Sequence, residues 1–149
     1  MSKLEAPSLE QLLSEWDNDA KIDTTDAGKE MLRIPLLHSK YNKYLTLHKL
    51  ACLRKESDLA KLRKLKWMYY NGKLDQQELV KLGWETFPFT LKSDLNIYMD
   101  SDDDVIKFKA QVTLHDECVQ YCTYVMKEIN NRTWQMKEWM AWSRFEGGH

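Results

Sequence analysis

Apolar residues recur at threes and fours along most of this 149-residue chain, the spacing of amphipathic helices. Leu9, Leu12, Leu13 and Trp16 share one helical face, and Ser8 followed by Gln11 has the form of a capping box, so a first helix is predicted over residues 8–19. Thr24, Thr25 and Asp26 can cap a second helix, in which Pro35 should force a kink or a restart. No Gly or Pro interrupts residues 36–71, and Tyr41, Leu45, His48, Cys52, Leu59, Leu62 and Tyr69 recur on one side. This predicts a long amphipathic helix of about nine turns, stopped by Asn71-Gly72.

Asp75 with Glu78 marks a short helix that Gly83 should end. Pro88 bars a helix through Phe87-Pro88-Phe89, and residues 86–99 alternate loosely around Lys92-Ser93-Asp94. An extended arm or small hairpin is expected there, of a kind that can strap onto another subunit. Ser101 with Asp104 is expected to cap the next helix, whose first-turn acids suit the positive helix end. From there to Phe145 the chain has neither Gly nor Pro, although Asn130-Asn131 offers a break. His115, Cys118, Cys122, Val125, Ile129 and Met136 line one face of this stretch.

The last turns differ. Met136, Trp139 and Met140 take one side while Trp134, Trp142 and Phe145 lie roughly opposite. A helix apolar on two faces cannot cover both within one small domain, so these six residues are expected to be buried between subunits. Gly147-Gly148 should end the helix. The pattern as a whole predicts a mainly α protein of long amphipathic helices in one domain. Residues 1–73 would hold an acidic helix and the basic long helix, 74–100 an irregular arm, and 101–149 a helical oligomerisation region.

Composition supports this: five glycines and three prolines are few, and 30% of residues are charged. The net charge of −1 conceals a strong asymmetry. Residues 1–30 carry three lysines against eight acids, a net of −5. Residues 40–73 carry ten cations against Glu56 and Asp58, a net of +8, and residues 93–118 carry two lysines against seven acids, again −5. A basic middle between acidic flanks implies a polyanion site, with acidic surface left for a basic partner or a neighbouring subunit. Three cysteines cannot all pair within one chain and no signal peptide precedes the acidic start, which points to a reducing, cytosolic setting. No apolar run reaches the roughly 20 residues of a membrane span.

The segment Lys61–Gly72 concentrates the chemistry. Lys61, Arg63, Lys64 and Lys66 run directly into Trp67, Tyr69 and Tyr70. Cations answer phosphates and aromatic faces answer unpaired bases, which is the pairing of a single-strand binder. The alternative is a solvated helix back with the aromatics in a core. At 100° per residue Lys40, Lys43, Arg54 and Lys61 also fall within an arc of about 60°, forming a rail that can track phosphates or simply face water. Lys66 falls near the apolar stripe, so its ammonium must snorkel or find an anion.

Other chemistries fail on spacing. His115, Cys118 and Cys122 share a helix face, but no fourth metal ligand is evident. Asp100, Asp102 and Asp104 imitate the opening of a calcium loop, yet Val105 stands where Gly is required and Gln111 where Glu is required. No glycine-rich phosphate loop and no nucleophile motif is present, so neither catalysis nor a bound cofactor or metal is expected.

Arg63–Gly72 resembles the signature of the UvsY family of phage recombination mediators: a basic pair one residue apart, then Tyr-Tyr, a small polar residue and Gly. Leu9–Asp23, Asp104–Phe108 and Arg144–Gly148 resemble the family in the same order, so the likeness spans nearly the whole chain. The resemblance implies a non-enzymatic mediator that holds single-stranded DNA, loosens the single-strand-binding protein coating it and helps load a RecA-like recombinase. It implies a ring of six or seven identical subunits working in the infected host cytoplasm, in phage recombination, replication and repair. The family's DNA-contacting pair falls on Lys64 and Lys66, with Tyr69, Tyr70 and Gly72 completing the motif. Lys66 stands where the family often has Arg, losing bidentate phosphate geometry but keeping the charge, and Met68 stands where relatives carry an acid. Whether the tyrosines stack on bases or pack inside is left open by the residues themselves. The rival is a helical scaffold whose basic helix docks acidic proteins; a third reading is an inert subunit of a nuclease or helicase assembly.

Overall fold

The computed structural model describes residues 4–88 and 91–147. In chain order it forms α1 (Leu9–Asp19), α2 (Ala27–Tyr70), α3 (Gln76–Leu82), a 3-10 turn (Lys92–Asp94), α4 (Leu95–Asp100) and α5 (Asp103–Glu146). The mainly helical expectation holds, and there is no strand among the described residues. The chain resolves into two compact units, one of Met1–Ala51 with Leu114–His149 and one of Cys52–Thr113.

In the first unit, α1 lies against the early part of α2 and the later part of α5. Ser8 caps α1 by accepting from the Gln11 amide, and Asp26 accepts from the Lys29 amide at the start of α2. Trp16, Leu37, Tyr41, Val125 and Ile129 form one buried cluster, and Leu12, Cys118 and Cys122 form a second. Trp16 meets Tyr41 edge-on at 5.5 Å between ring centres. Leu13, expected on the same face, is exposed. The carboxy-terminal end of α1 is closed from the side: Arg33 and Arg132 donate to the Asp19 carbonyl at 2.7 and 3.1 Å, and Arg132 also donates to that of Ala20 at 2.7 Å. Guanidinium groups on terminal carbonyls satisfy orphan acceptors and the negative helix end together.

Neither Pro35 nor Asn130-Asn131 ends its helix. α2 runs through Pro35 without restarting, because Glu30, Leu37 and Tyr41 are buried on either side of it and that packing offsets the proline cost of about 3 kcal/mol. α5 runs through Asn130-Asn131, since both face water while the flanking Ile129 and Arg132 are buried.

The second unit contains the end of α2, all of α3 and α4, and the start of α5. α2 closes in a Schellman turn: Gly72, at φ +68°, donates to the Tyr69 carbonyl, and Lys73 donates to that of Met68. Asp75 and Glu78 form the expected capping box for α3, and Gly83 ends it at φ +72°. The expected arm or hairpin over 86–99 is corrected: a 3-10 turn and α4 occupy 92–100. Leu95 and Met99 are four apart, a spacing that suits one buried helical side as well as it suits loose alternation, and Met99 is buried. Phe89, part of that expectation, lies outside the described residues. The expected cap of α5 also moves by one residue. Ser101 Oγ donates back to the Ile97 carbonyl, while Asp102 Oδ1 accepts from the amides of Asp104 and Val105.

Candidate nucleic-acid interface

The basic–aromatic segment forms the last turns of α2, inside the second unit. Lys61 and Lys64 are exposed, and Arg63 is half-buried with Nη1 4.0 Å from Asp100. Lys66 is only 5% exposed. Its ammonium lies 3.1 Å from Asp102 and 2.9 Å from Asp104, and 4.0 Å from the centre of the Trp84 ring. Of the two outcomes open to Lys66, snorkelling or an anion, the structure takes the anion, at the start of α5. Burial alone would lower the Lys66 pKa, but the two carboxylates outweigh it and raise it above the ordinary lysine value. Burial would likewise raise Asp102, yet hydrogen bonds from Tyr70, Lys66 and the Val105 amide hold its carboxyl below the usual range.

The two tyrosines are half-buried, and each hydroxyl is tied within the protein. Tyr69 donates its hydroxyl to the Glu85 carbonyl at 2.6 Å, and Tyr70 donates to Asp102 Oδ2 at 2.6 Å. Burial and the Asp102 carboxylate push the Tyr70 phenol far above its ordinary pKa. Tyr69 touches Trp84 at 5.1 Å and Phe87 at 5.8 Å, and Tyr70 meets Phe87 at 4.8 Å and Tyr98 at 5.9 Å. Trp67 is 40% exposed, with Lys73 Nζ 4.2 Å from its ring centre. The structure thus separates the segment. Lys61, Lys64 and Trp67 face outward, while Lys66, Tyr69 and Tyr70 knit α2 to the start of α5. Sequence reasoning missed Trp84, and it read the acids at 102–104 as a helix cap and a complement to the helix dipole rather than as partners of Lys66. The signal it had was the near-seam position of Lys66, which called for snorkelling or an anion without deciding between them.

Of the upstream rail, Lys43 is exposed, whereas Lys40 pairs with Asp19 at 2.7 Å and Glu15 at 3.4 Å. Part of the acidic amino-terminal charge is therefore neutralised within the chain. In the same unit, Trp134, Trp142 and Phe145 are 65%, 59% and 75% exposed, and Trp142 stacks on Phe145 at 5.9 Å. Trp139 is also exposed, Met140 is half-buried, and Met136 belongs to the buried core. Cys118 and Cys122 sit in the core cluster with Leu12, and His115 faces His48. No helix of the described chain is long and apolar enough to cross a membrane.

Comparison with known proteins gives one consistent family. The family model described as "Recombination, repair and ssDNA binding protein UvsY" matches residues 15–149. The recombination protein uvsY of Enterobacteria phage T4 is 27% identical over 141 residues, covering 94% of this chain and 98% of that protein. Two crystal structures of the bacteriophage T4 recombination mediator protein UvsY superpose with TM-scores of 0.82 and 0.80 at 24% identity. They cover 95% and 91% of this chain and 98% of each T4 chain.

Proposed function

The chain belongs to the UvsY family of phage recombination, repair and single-stranded-DNA-binding proteins, and from that premise we propose that it is a non-enzymatic mediator that loads a strand-exchange recombinase in place of single-strand-binding protein. The observation that carries the reading is the outward pair Lys61 and Lys64 at the end of α2, on a helix end fixed by the buried Lys66 ion pairs. Lys61, Arg63 and Lys64 supply the phosphate contacts. Lys66, Tyr69 and Tyr70 hold that surface in place, with Lys66 adding its charge to the local field.

One subunit with a handful of phosphate contacts binds weakly, and several subunits acting on one strand multiply the effect through effective concentration. The exposed aromatic end of α5, with Trp134, Trp139, Trp142 and Phe145, is the surface through which copies join, Met136 and Met140 supporting it from inside; a closed ring is the arrangement that places many identical cation sites along one strand. The partners in this reading are single-stranded DNA, a RecA-like recombinase and single-strand-binding protein, in the cytoplasm of the infected host. The acidic segments at 1–30 and 100–104 are the candidate faces for the recombinase, on charge, with Asp102 itself buried against Lys66.

Titrating labelled single- and double-stranded oligonucleotides with the purified protein tests the reading. Preferential single-strand binding with little sequence preference is expected. With about three phosphates per subunit, the log–log salt slope should be near −2 per subunit. A protein that ignores single strands in dilute buffer, but captures an acidic protein at fixed stoichiometry, would instead be a docking scaffold.

A further inference from the structure

A cleft of about 650 Å³ opens in the second unit beside the end of α2, lined by Trp67, Tyr70, Phe87, Leu91, Lys73 and Lys92 among others. Among the described lining residues most are aromatic or aliphatic, Asn71 is polar, and the charged ones are both lysines. We propose that this cleft takes an unpaired nucleobase of the bound strand, with Trp67 as the stacking face and Lys73 and Lys92 receiving the adjoining phosphate. This rests on the single-strand reading above and assigns it a base subsite distinct from the backbone contacts.

Three features support this occupant. Tyr70 and Phe87 are fixed edge-to-face at 4.8 Å, and the Tyr70 hydroxyl is tied to Asp102, so one wall is rigid and set before any base arrives. Trp67, one turn before Tyr70 on α2, belongs to the same lining and is 40% exposed. The Lys73 ammonium lies over its ring at 4.2 Å. A base arriving on the indole exchanges that cation contact for stacking and frees the ammonium to meet phosphate. Finally, Lys64 lies three residues before Trp67 on α2, so it shares the helix side and stands about 4.5 Å away along the axis. A phosphate held at Lys64 and a base held at Trp67 are therefore neighbours on one strand. The charge excludes a cationic ligand, and the aromatic walls favour a flat ring over a bare anion.

The test is fluorescence anisotropy with labelled oligothymidylate and with an abasic strand of equal length, at one salt concentration, using wild type, Trp67→Ala and Trp67→Phe. Trp67→Ala should lose about tenfold on oligothymidylate, the scale of one lost base stack, with no loss on the abasic strand. Trp67→Phe should retain most of the difference between strands. Photocrosslinking of wild type to an iodouracil-bearing strand should join the base to a peptide containing Trp67, Tyr70 or Phe87, a readout independent of how any variant folds. Equal binding of both strands by wild type, equal loss on both in Trp67→Ala, or crosslinks elsewhere would overturn the cleft while leaving strand binding intact. Failure of wild type to bind either strand would remove the underlying reading instead.

Discussion

Lys66 and Asp102 face one another at 3.1 Å with both side chains 6% exposed, joining the end of α2 to the first turn of α5. The same carboxylate accepts from Tyr70 and caps α5 through the Asp104 and Val105 amides. Removing Asp102 leaves Lys66 with Asp104 alone and also takes away the α5 cap, worth about 1 kcal/mol, and the buried acceptor of Tyr70, worth about 1–3 kcal/mol. Asp102→Ala is therefore expected to lower the thermal midpoint by roughly 10 °C, a shift of about 2–4 °C accompanying each kcal/mol at this chain length. Differential scanning calorimetry checks it. A midpoint within one or two degrees of wild type would mean the pair contributes little.

Lys64→Ala should behave in the opposite way. Its side chain is exposed, so stability should stay within about 0.5 kcal/mol of wild type. Single-strand affinity should fall and the salt slope should shrink by about 0.7 per subunit. Lys66→Ala, by contrast, should reduce binding together with thermal stability. Comparing the two variants by anisotropy and calorimetry separates a contacting lysine from a positioning one.

His48 gives a pH prediction. It is buried, with Nε2 2.7 Å from the Pro7 carbonyl and Nδ1 3.1 Å from His115 Nδ1. The carbonyl can only accept, so Nε2 carries the hydrogen and Nδ1 of neutral His48 accepts from His115. Burial lowers the His48 pKa below its ordinary 6.5, despite the Pro7 hydrogen bond that opposes the shift. The unfolded chain thus binds this proton more readily, so stability is full above pH 6.5 and falls as the pH drops below it. Thermal midpoints from pH 7.5 to 5 should decline, and His48→Gln should flatten the decline. An unchanged slope in the variant would assign the effect to other groups.

Trp142 and Phe145 stack on each other in water. Trp142→Ser with Phe145→Ser should reduce the oligomer mass in light scattering, while helical content stays unchanged because neither residue is in the core. Single-strand affinity should drop with the mass, since avidity depends on linked copies. A wild-type monomer would discard the assembly proposal.

Gly72 sits at φ +68° with open space where a Cβ would stand. Gly72→Ala therefore meets no clash, and its cost is backbone strain of about 1 kcal/mol. A chemical-denaturation midpoint lowered by that amount is expected, with little change in strand affinity.

How much was legible follows from the reach of each signal. Caps and stops such as Ser8, Asp75, Gly72 and Gly83 depend on atoms within four residues, so the sequence alone placed α1, α3 and the end of α2. The stripe from Tyr41 to Tyr69 and that from Cys118 to Ile129 were visible as periodicity, because a helix face is a local repeat. Family motifs around Lys64, Tyr69 and Tyr70 were visible for the same reason. Tertiary structure decided which charged and aromatic residues of those stretches face outward. Lys66 and Lys64 are two positions apart and chemically identical, yet one is enclosed by Asp102, Asp104 and Trp84 while the other meets solvent. Those partners lie 18 to 38 residues away in the chain, beyond any local pattern. Continuity through Pro35 and Asn130-Asn131 and the folding of 92–100 into helix rather than hairpin go with burial of neighbours such as Leu37, Ile129 and Met99, whose tertiary packing outweighs the local preference of a few residues.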